Sequence, residues 1–367
     1  MGQSYLKNAA LLTGADVLLR LAGMGLRIYL ANALGGEGMG LYQLVLALSL
    51  AACGQTKTTD PDPVEETPTE KVTIRLGGLK GPTSMGMVKL LADAESGLTA
   101  NDYTFTMAAS APDLTPQFIK GELDILAVPA NLGATLYANT DGGVELLAAS
   151  TLGGLYIVER GDTIQSLGDL AGRTLYATGK GTTPEYALTY LLAQNGLTLG
   201  TDVQVEWKSE PTEVVAQMAQ EEGAAAMLPQ PFVTVAQGQV EGLRVALDLS
   251  AQWDGLDNGS RLVTAGLLVR KAFADEHPDA VAKFLEEYAA SVDYVNASPA
   301  EAAVLVEAQG IVKAAVAEKA IPYCSLVCIT GEDMKTAVSG YLQTLYDLKP
   351  ETVGGAMPDD GFYWLGA

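Results

Sequence analysis

Histidine and cysteine are almost absent from this chain, and each absence removes a class of chemistry. The single histidine, His277, stands among 367 residues, so no paired-histidine zinc site can form. Any Ser-His-Asp or Cys-His device would have to be built around that one residue. Three cysteines, Cys53, Cys324 and Cys328, are too few for a disulfide scaffold or a four-thiolate metal centre. Basic residues are scarce as well: 22 Lys and Arg against 44 Asp and Glu leave a net charge of −22. Phosphate-backbone binding needs a surplus of cations on one face, so no nucleic-acid partner is expected. What remains, with 48% hydrophobic and 18% charged residues, is the composition of an ordinary folded protein.

The N-terminus reads apart from the rest. Residues 9–34 are apolar but carry Asp16, Arg20 and Arg27, which a lone spanning helix would bear at about 2.5–3.5 kcal/mol each near the bilayer centre. After the breaker GGEGMG comes a second apolar run, Leu41–Ala52, too short to span and the right size for a signal-peptide core. It ends in Leu50-Ala51-Ala52-Cys53-Gly54, a lipobox in which small residues admit the signal peptidase and the Cys53 thiol receives diacylglycerol. Residues 53–70, rich in Pro, Thr, Asp and Glu, read as a disordered tether. No basic segment directly precedes the apolar run. Residues 4–44 instead resemble the first helix and loop of the polysaccharide-flippase family that includes the stage V sporulation membrane proteins, with Arg27 and GGEGMGLYQL carrying the likeness. Residues 1–52 therefore read as a chimera of a flippase-like helix and a lipoprotein signal. A flippase fragment remains an alternative for this segment alone, since no later part of the chain supplies further spans.

The body alternates short apolar strands with capped helices, an α/β pattern. Strands are expected at Val72–Gly78, Tyr103–Ser110, Leu123–Pro129, Val144–Thr151 and Leu155–Gly161, with a helix over Ser84–Gly97. A second unit opens with a strand at Thr174–Thr178, a glycine-rich turn, and a helix capped by Thr183 with Pro184 at its first position. A return strand near Leu262–Phe273 and helices at Pro278–Asn296, Pro299–Ala308 and Asp333–Leu348 complete the chain. Leaving one lobe, building another and returning implies two hinge crossovers, near 155–161 and 258–264. One lobe is expected from 71–158 and 262–367, the other from 159–261, with closure about the hinge.

The lipobox, the acidic tether and several blocks together resemble the solute-binding lipoproteins of bacterial ABC importers, in the nitrate, sulfonate, taurine and pyrimidine-precursor class. Those blocks are GPTSMGMVKLLAD, SLGDLAGRTLYATGKGTTPEYALTYLLAQNGL, LVRKAFADEHPDAVAKFLEEY and ETVGGAMPDDGFYW. The resemblance covers about residues 50–367 and implies a two-lobed type II periplasmic-binding-protein fold. It implies a monomer lipid-anchored through Cys53 on the extracytoplasmic face of the cell membrane, working with importer permease subunits. It implies no enzyme activity, no cofactor and no metal. The alternative, a pyrimidine-precursor enzyme on the same fold, would need a His and Cys cluster that the chain lacks.

Ligands of open α/β folds bind at the carboxyl ends of strands, which selects the turns. Lys80, Gly81, Thr83 and Ser84 follow the first strand; Lys180, Gly181, Thr182 and Thr183 are their counterpart in the second lobe. Both are read as helix openings offering free N–H groups and hydroxyls to an anionic or polar ligand. The second is not a Walker A loop, because its glycine spacing is wrong and Gly181 stands where Ser or Thr should follow the Lys. Ser110, Ala111, Asn131 and Gln230 lie at comparable turns. His277 reads as a helix cap, Trp253 and Asn258 as hinge or core, and Cys324 and Cys328 as buried thiols.

Overall fold

The computed structural model describes residues 71–366. The flippase-like segment, the lipobox at Cys53 and the tether lie outside the described residues. Among those described, no helix is long and apolar enough to cross a membrane.

The first lobe begins β1 (Thr73–Leu79), α1 (Pro82–Met85), α2 (Val88–Glu95), β2 (Asp102–Ala108), α3 (Ala111–Ile119), β3 (Ile125–Pro129), α4 (Ala130–Asn139) and β4 (Val144–Leu152). The second contains β5 (Leu155–Arg160), β6 (Thr174–Ala177), α5 (Thr183–Gln194), β7 (Gln204–Trp207), α6 (Pro211–Gln220), β8 (Ala225–Pro229), α7 (Phe232–Gln239), β9 (Leu243–Asp248) and α8 (Leu249–Asp254). The chain then returns through β10 (Val263–Arg270), α9 (Lys271–Glu276), α10 (Pro278–Ala297), α11 (Pro299–Ala308), α12 (Ala314–Ala320), β11 (Leu326–Ile329) and α13 (Gly331–Leu348).

The strands form two sheets, ordered β11-β4-β10-β3-β1-β2 and β7-β6-β8-β5-β9. In each, three parallel strands joined by helical connections sit beside an antiparallel strand that belongs to a crossover, β10 in one and β5 in the other. Parallel pairing requires such connections, which cover both faces of the sheet with helices. The burial follows: on β3, Leu126 and Val128 enter one apolar cluster while Ile125 and Ala127 enter another on the opposite face. This is the type II periplasmic-binding fold.

Two expectations change. The first crossover is Gly153-Gly154, just before the expected 155–161, and Leu155–Val158 belong to the second lobe, because β5 pairs along its whole length with β8 and β9 in the second sheet. Both glycines are left-handed, at φ 70° and 75°. A Cβ on Gly153 would sit 1.7 Å from Ser250 Oγ, so the close approach also demands glycine. The helix expected over Ser84–Gly97 is broken into α1 and α2. Its break lies where α10 presses in: a Cβ on Gly86 would meet Tyr288 Oη at 2.8 Å. Ser291 Oγ takes up the freed backbone groups, donating to the Gly86 carbonyl and accepting from the Leu90 N–H.

The lobes touch beyond the crossovers. Trp253 is fully buried between Tyr190 of α5 and Tyr341 of α13, with ring centroids 4.8 and 5.5 Å away. One apolar cluster therefore runs from Leu126 and Val128 in the first sheet to Ile157 and Leu175 in the second. Trp253 is core, and its Nε1 donates to Ser260 Oγ at 3.0 Å.

Candidate functional site

The carboxyl ends of β1, β2 and β3 face those of β6, β7 and β8 across a cleft of about 360 Å³. From the first lobe come Lys80, Gly81, Pro82 and Thr83, then Ser110, Ala111 and Pro112, then Pro129. The second lobe supplies Thr178, Gly179, Lys180, Thr182 and Pro184, then Lys208, Ser209 and Pro211, then Pro229. The floor is the hinge itself, Thr151, Gly153, Gly154 and Leu155 from one crossover and Thr264 and Ala265 from the other. Helices α3, α4, α5 and α6 begin at this wall, so the partial positive charge of each N-terminus lies beside it.

Most hydroxyls on the wall already donate inward. Thr83 Oγ1 donates to the Leu79 carbonyl at 2.8 Å, Thr182 Oγ1 to that of Gly179 at 2.7 Å, and Ser110 Oγ to Asp113 at 2.7 Å. Thr151 is the buried exception: 3% exposed, its Oγ1 has no partner among the described residues. The charges are one-sided. Lys80 and Lys180, both exposed, form no ion pair among the described residues, and the half-buried Lys208 holds Glu206 at 3.3 Å. No carboxylate, arginine or aromatic ring of the described residues lines the cleft.

Lys80, Gly81, Thr83, Ser110, Ala111, Lys180 and Thr182 of the expected residues stand on this wall; five do not. Ser84 is fully buried and donates to the Leu79 carbonyl at 2.6 Å. The helix cap of α5 is Thr182, which leaves Thr183 inside the first turn, buried, donating to Asn131 Oδ1 at 3.1 Å. Asn131 in turn donates to the Thr352 carbonyl at 3.1 Å. Gln230 is turned inward to accept from Thr234 Oγ1 at 2.9 Å, and the Gly181 N–H is taken by Glu185. A hydroxyl one residue too deep in a helix opening faces the core instead of the ligand. Lys208, Ser209, Thr151 and Thr264 were not expected. Lys208 and Ser209 carry a readable signal, a strand end just before Pro211. The two threonines carry none, because only the meeting of the crossovers brings them to the floor.

The two cysteines among the described residues stand away from the cleft as buried or half-buried thiols. Burial pushes the Cys324 thiol up to about 12, and burial together with Asp293 pushes Cys328 up to about 11. His277 sits at the junction of α9 and α10 against Phe273, with ring centroids 5.0 Å apart.

A family model described as "ABC transporter, phosphonate, periplasmic substrate-binding protein" matches residues 90–320, more than half of the chain. The chain belongs to this family. Its members are binding proteins that capture a small ligand and work with the permease of an ABC importer. No curated protein matches the chain. Among solved structures, an ABC transporter protein of Parabacteroides distasonis is 22% identical, with a TM-score of 0.67 over 80% of this chain and 99% of its own. The periplasmic aliphatic sulphonate binding protein of Escherichia coli is 17% identical, with a TM-score of 0.64 over 81% and 94%. The alkanesulfonate-binding protein of Xanthomonas axonopodis is 16% identical, with a TM-score of 0.60 over 79% and 96%. At such identities the likeness is one of fold, and it matches the two-sheet plan of this substrate-binding protein.

Proposed function

We propose that this substrate-binding protein is not an enzyme and captures a small anion between its lobes for delivery to its importer. One observation carries the reading. In a chain with twice as many acidic as basic residues, both lobes turn lysines toward the cleft and no carboxylate of the described residues reaches its wall. Local charge and helix dipoles act at contact range, while the distant acidic surface is screened beyond about 8–10 Å. The relatives named for phosphonates and sulfonates agree with an anion. A pyrimidine ligand is less well served, because the wall offers no ring to stack on. Calorimetry against inorganic and organic oxyanions, with a pyrimidine as control, tests this; saturable binding of the pyrimidine alone would reject it.

The anchor belongs to the same reading: cleavage before Cys53 and acylation of its thiol, with two or more chains giving stable attachment to the extracytoplasmic face. Mass spectrometry of the membrane fraction should find acylated Cys53 as the N-terminus, and an intact Met1 would reject it. The protein acts as a monomer whose lobes close about Gly153-Gly154 and the segment before β10. X-ray scattering should show a smaller radius of gyration at ligand saturation.

A further inference from the structure

We infer that the cleft selects short oxyanions that carry no amino group and rejects their aminated analogues. This rests on the anion reading above and sharpens it to a ligand class.

A ligand ammonium needs a carboxylate, a ring face or several acceptors once it leaves water. The wall supplies three ammonium groups of its own, Lys80, Lys180 and Lys208, and among the described residues neither a carboxylate nor a ring. The carboxylates just outside it are already engaged. Asp113 accepts from Ser110, Glu185 holds the Gly181 N–H, Glu206 pairs with Lys208, and Glu210 accepts from Thr212. Beside the lysines much of the wall is apolar, with Pro112 and Pro129 contributed by one lobe and Pro184 and Pro211 by the other. Such a wall suits a short aliphatic body. A terminal amine on that body would lose its water, find no carboxylate among the lining residues and meet the ammonium groups of Lys80 and Lys180, which no carboxylate of the described residues pairs. Selectivity of this kind is a difference between two affinities, set here by the repulsive partner.

The test is calorimetry on the full chain with two matched pairs, ethylphosphonate against 2-aminoethylphosphonate and ethanesulfonate against 2-aminoethanesulfonate, together with phosphate, sulfate and nitrate. The expected result is that, for every head group that binds, the amine-free member binds at least tenfold more tightly than its partner, and a smaller preference overturns the selection. Equal or tighter binding of an aminated member overturns the selection and leaves the anion reading intact. Binding of inorganic anions alone also overturns it, since no organic body is then being discriminated. No binding of any anion in the panel overturns the anion reading itself, and the selection falls with it.

Discussion

Thr264 Oγ1 donates to the Gly153 carbonyl across 2.8 Å and also reaches that of Thr151 at 3.1 Å. One hydroxyl thereby joins the two crossovers, and the Gly153 N–H returns a bond to the Leu262 carbonyl at 2.8 Å. Thr264→Val keeps the shape and removes the donor. The expected loss is about 1 kcal/mol, read as a melting temperature lower by about 2–4 °C. An unchanged melt would mean that water replaces the hydroxyl.

Gly153→Ala meets two obstacles, the left-handed φ of 70° and the contact with Ser250 Oγ. The backbone part costs about 1–2 kcal/mol, and the collision adds to it. Adding Ser250→Gly should restore the steric part only, so the double variant should be more stable than Gly153→Ala alone yet below the parent. Denaturant titration of the three proteins reads the coupling directly.

Asp124 and Glu159 each have a side chain only 1% exposed, and each is held by two arginines, Arg75 and Arg270 for the first, Arg173 and Arg244 for the second. Burial alone would raise both carboxyls. Hydrogen bonds from Arg75 and Arg270, and from Thr163, Ile164 and Arg244, outweigh it and hold them below their ordinary 3.8 and 4.5. Folded values below unfolded ones give stability that is present above those ordinary values and lost as pH falls through the folded ones. Stability should therefore decline below about pH 4–5. Asp124→Asn should cost about 3 kcal/mol at pH 7 and flatten that decline, which unfolding titrations from pH 7 to pH 3 would reveal.

Lys80→Met and Lys180→Met remove charges that form no ion pair among the described residues, so the unliganded melt should not move. Each should weaken the binding of an oxyanion by about 1.5–3 kcal/mol if its ammonium contacts the ligand, roughly tenfold to a hundredfold in calorimetry. A variant that loses stability but not affinity would place that lysine in the scaffold.

Thr151→Val tests the hydroxyl without a partner. Removing an unsatisfied buried hydroxyl should leave the unliganded protein as stable as before or slightly more so. Affinity for an oxyanion should fall by about 0.5–1.5 kcal/mol, with Thr151→Ser restoring it. A drop in the unliganded melt would make Thr151 a structural residue.

The sequence showed the α/β alternation because strand runs such as β3 and β8 are apolar, short and end in proline. It misplaced the first crossover because β4 and β5 are both apolar runs, and two glycines between them look like an ordinary turn. The break at Gly86 was hidden for a different reason: Tyr288 and Ser291, which cause it, lie some 200 positions away. The same limit applied to the site. Strand-end position identified Lys80 and Lys180, but whether Ser84, Thr183 or Asn131 faces ligand or core depends on a rotation of one residue within a helical turn.

Trp253, seated between Tyr190 and Tyr341, gives the two lobes a shared interior, so neither has a complete one by itself. Heat should then melt them in one step, with calorimetric and van't Hoff enthalpies in agreement. A solute held mainly by one lobe would raise the midpoint of the whole, and a cavity made at Trp253 would lower it for both sheets at once.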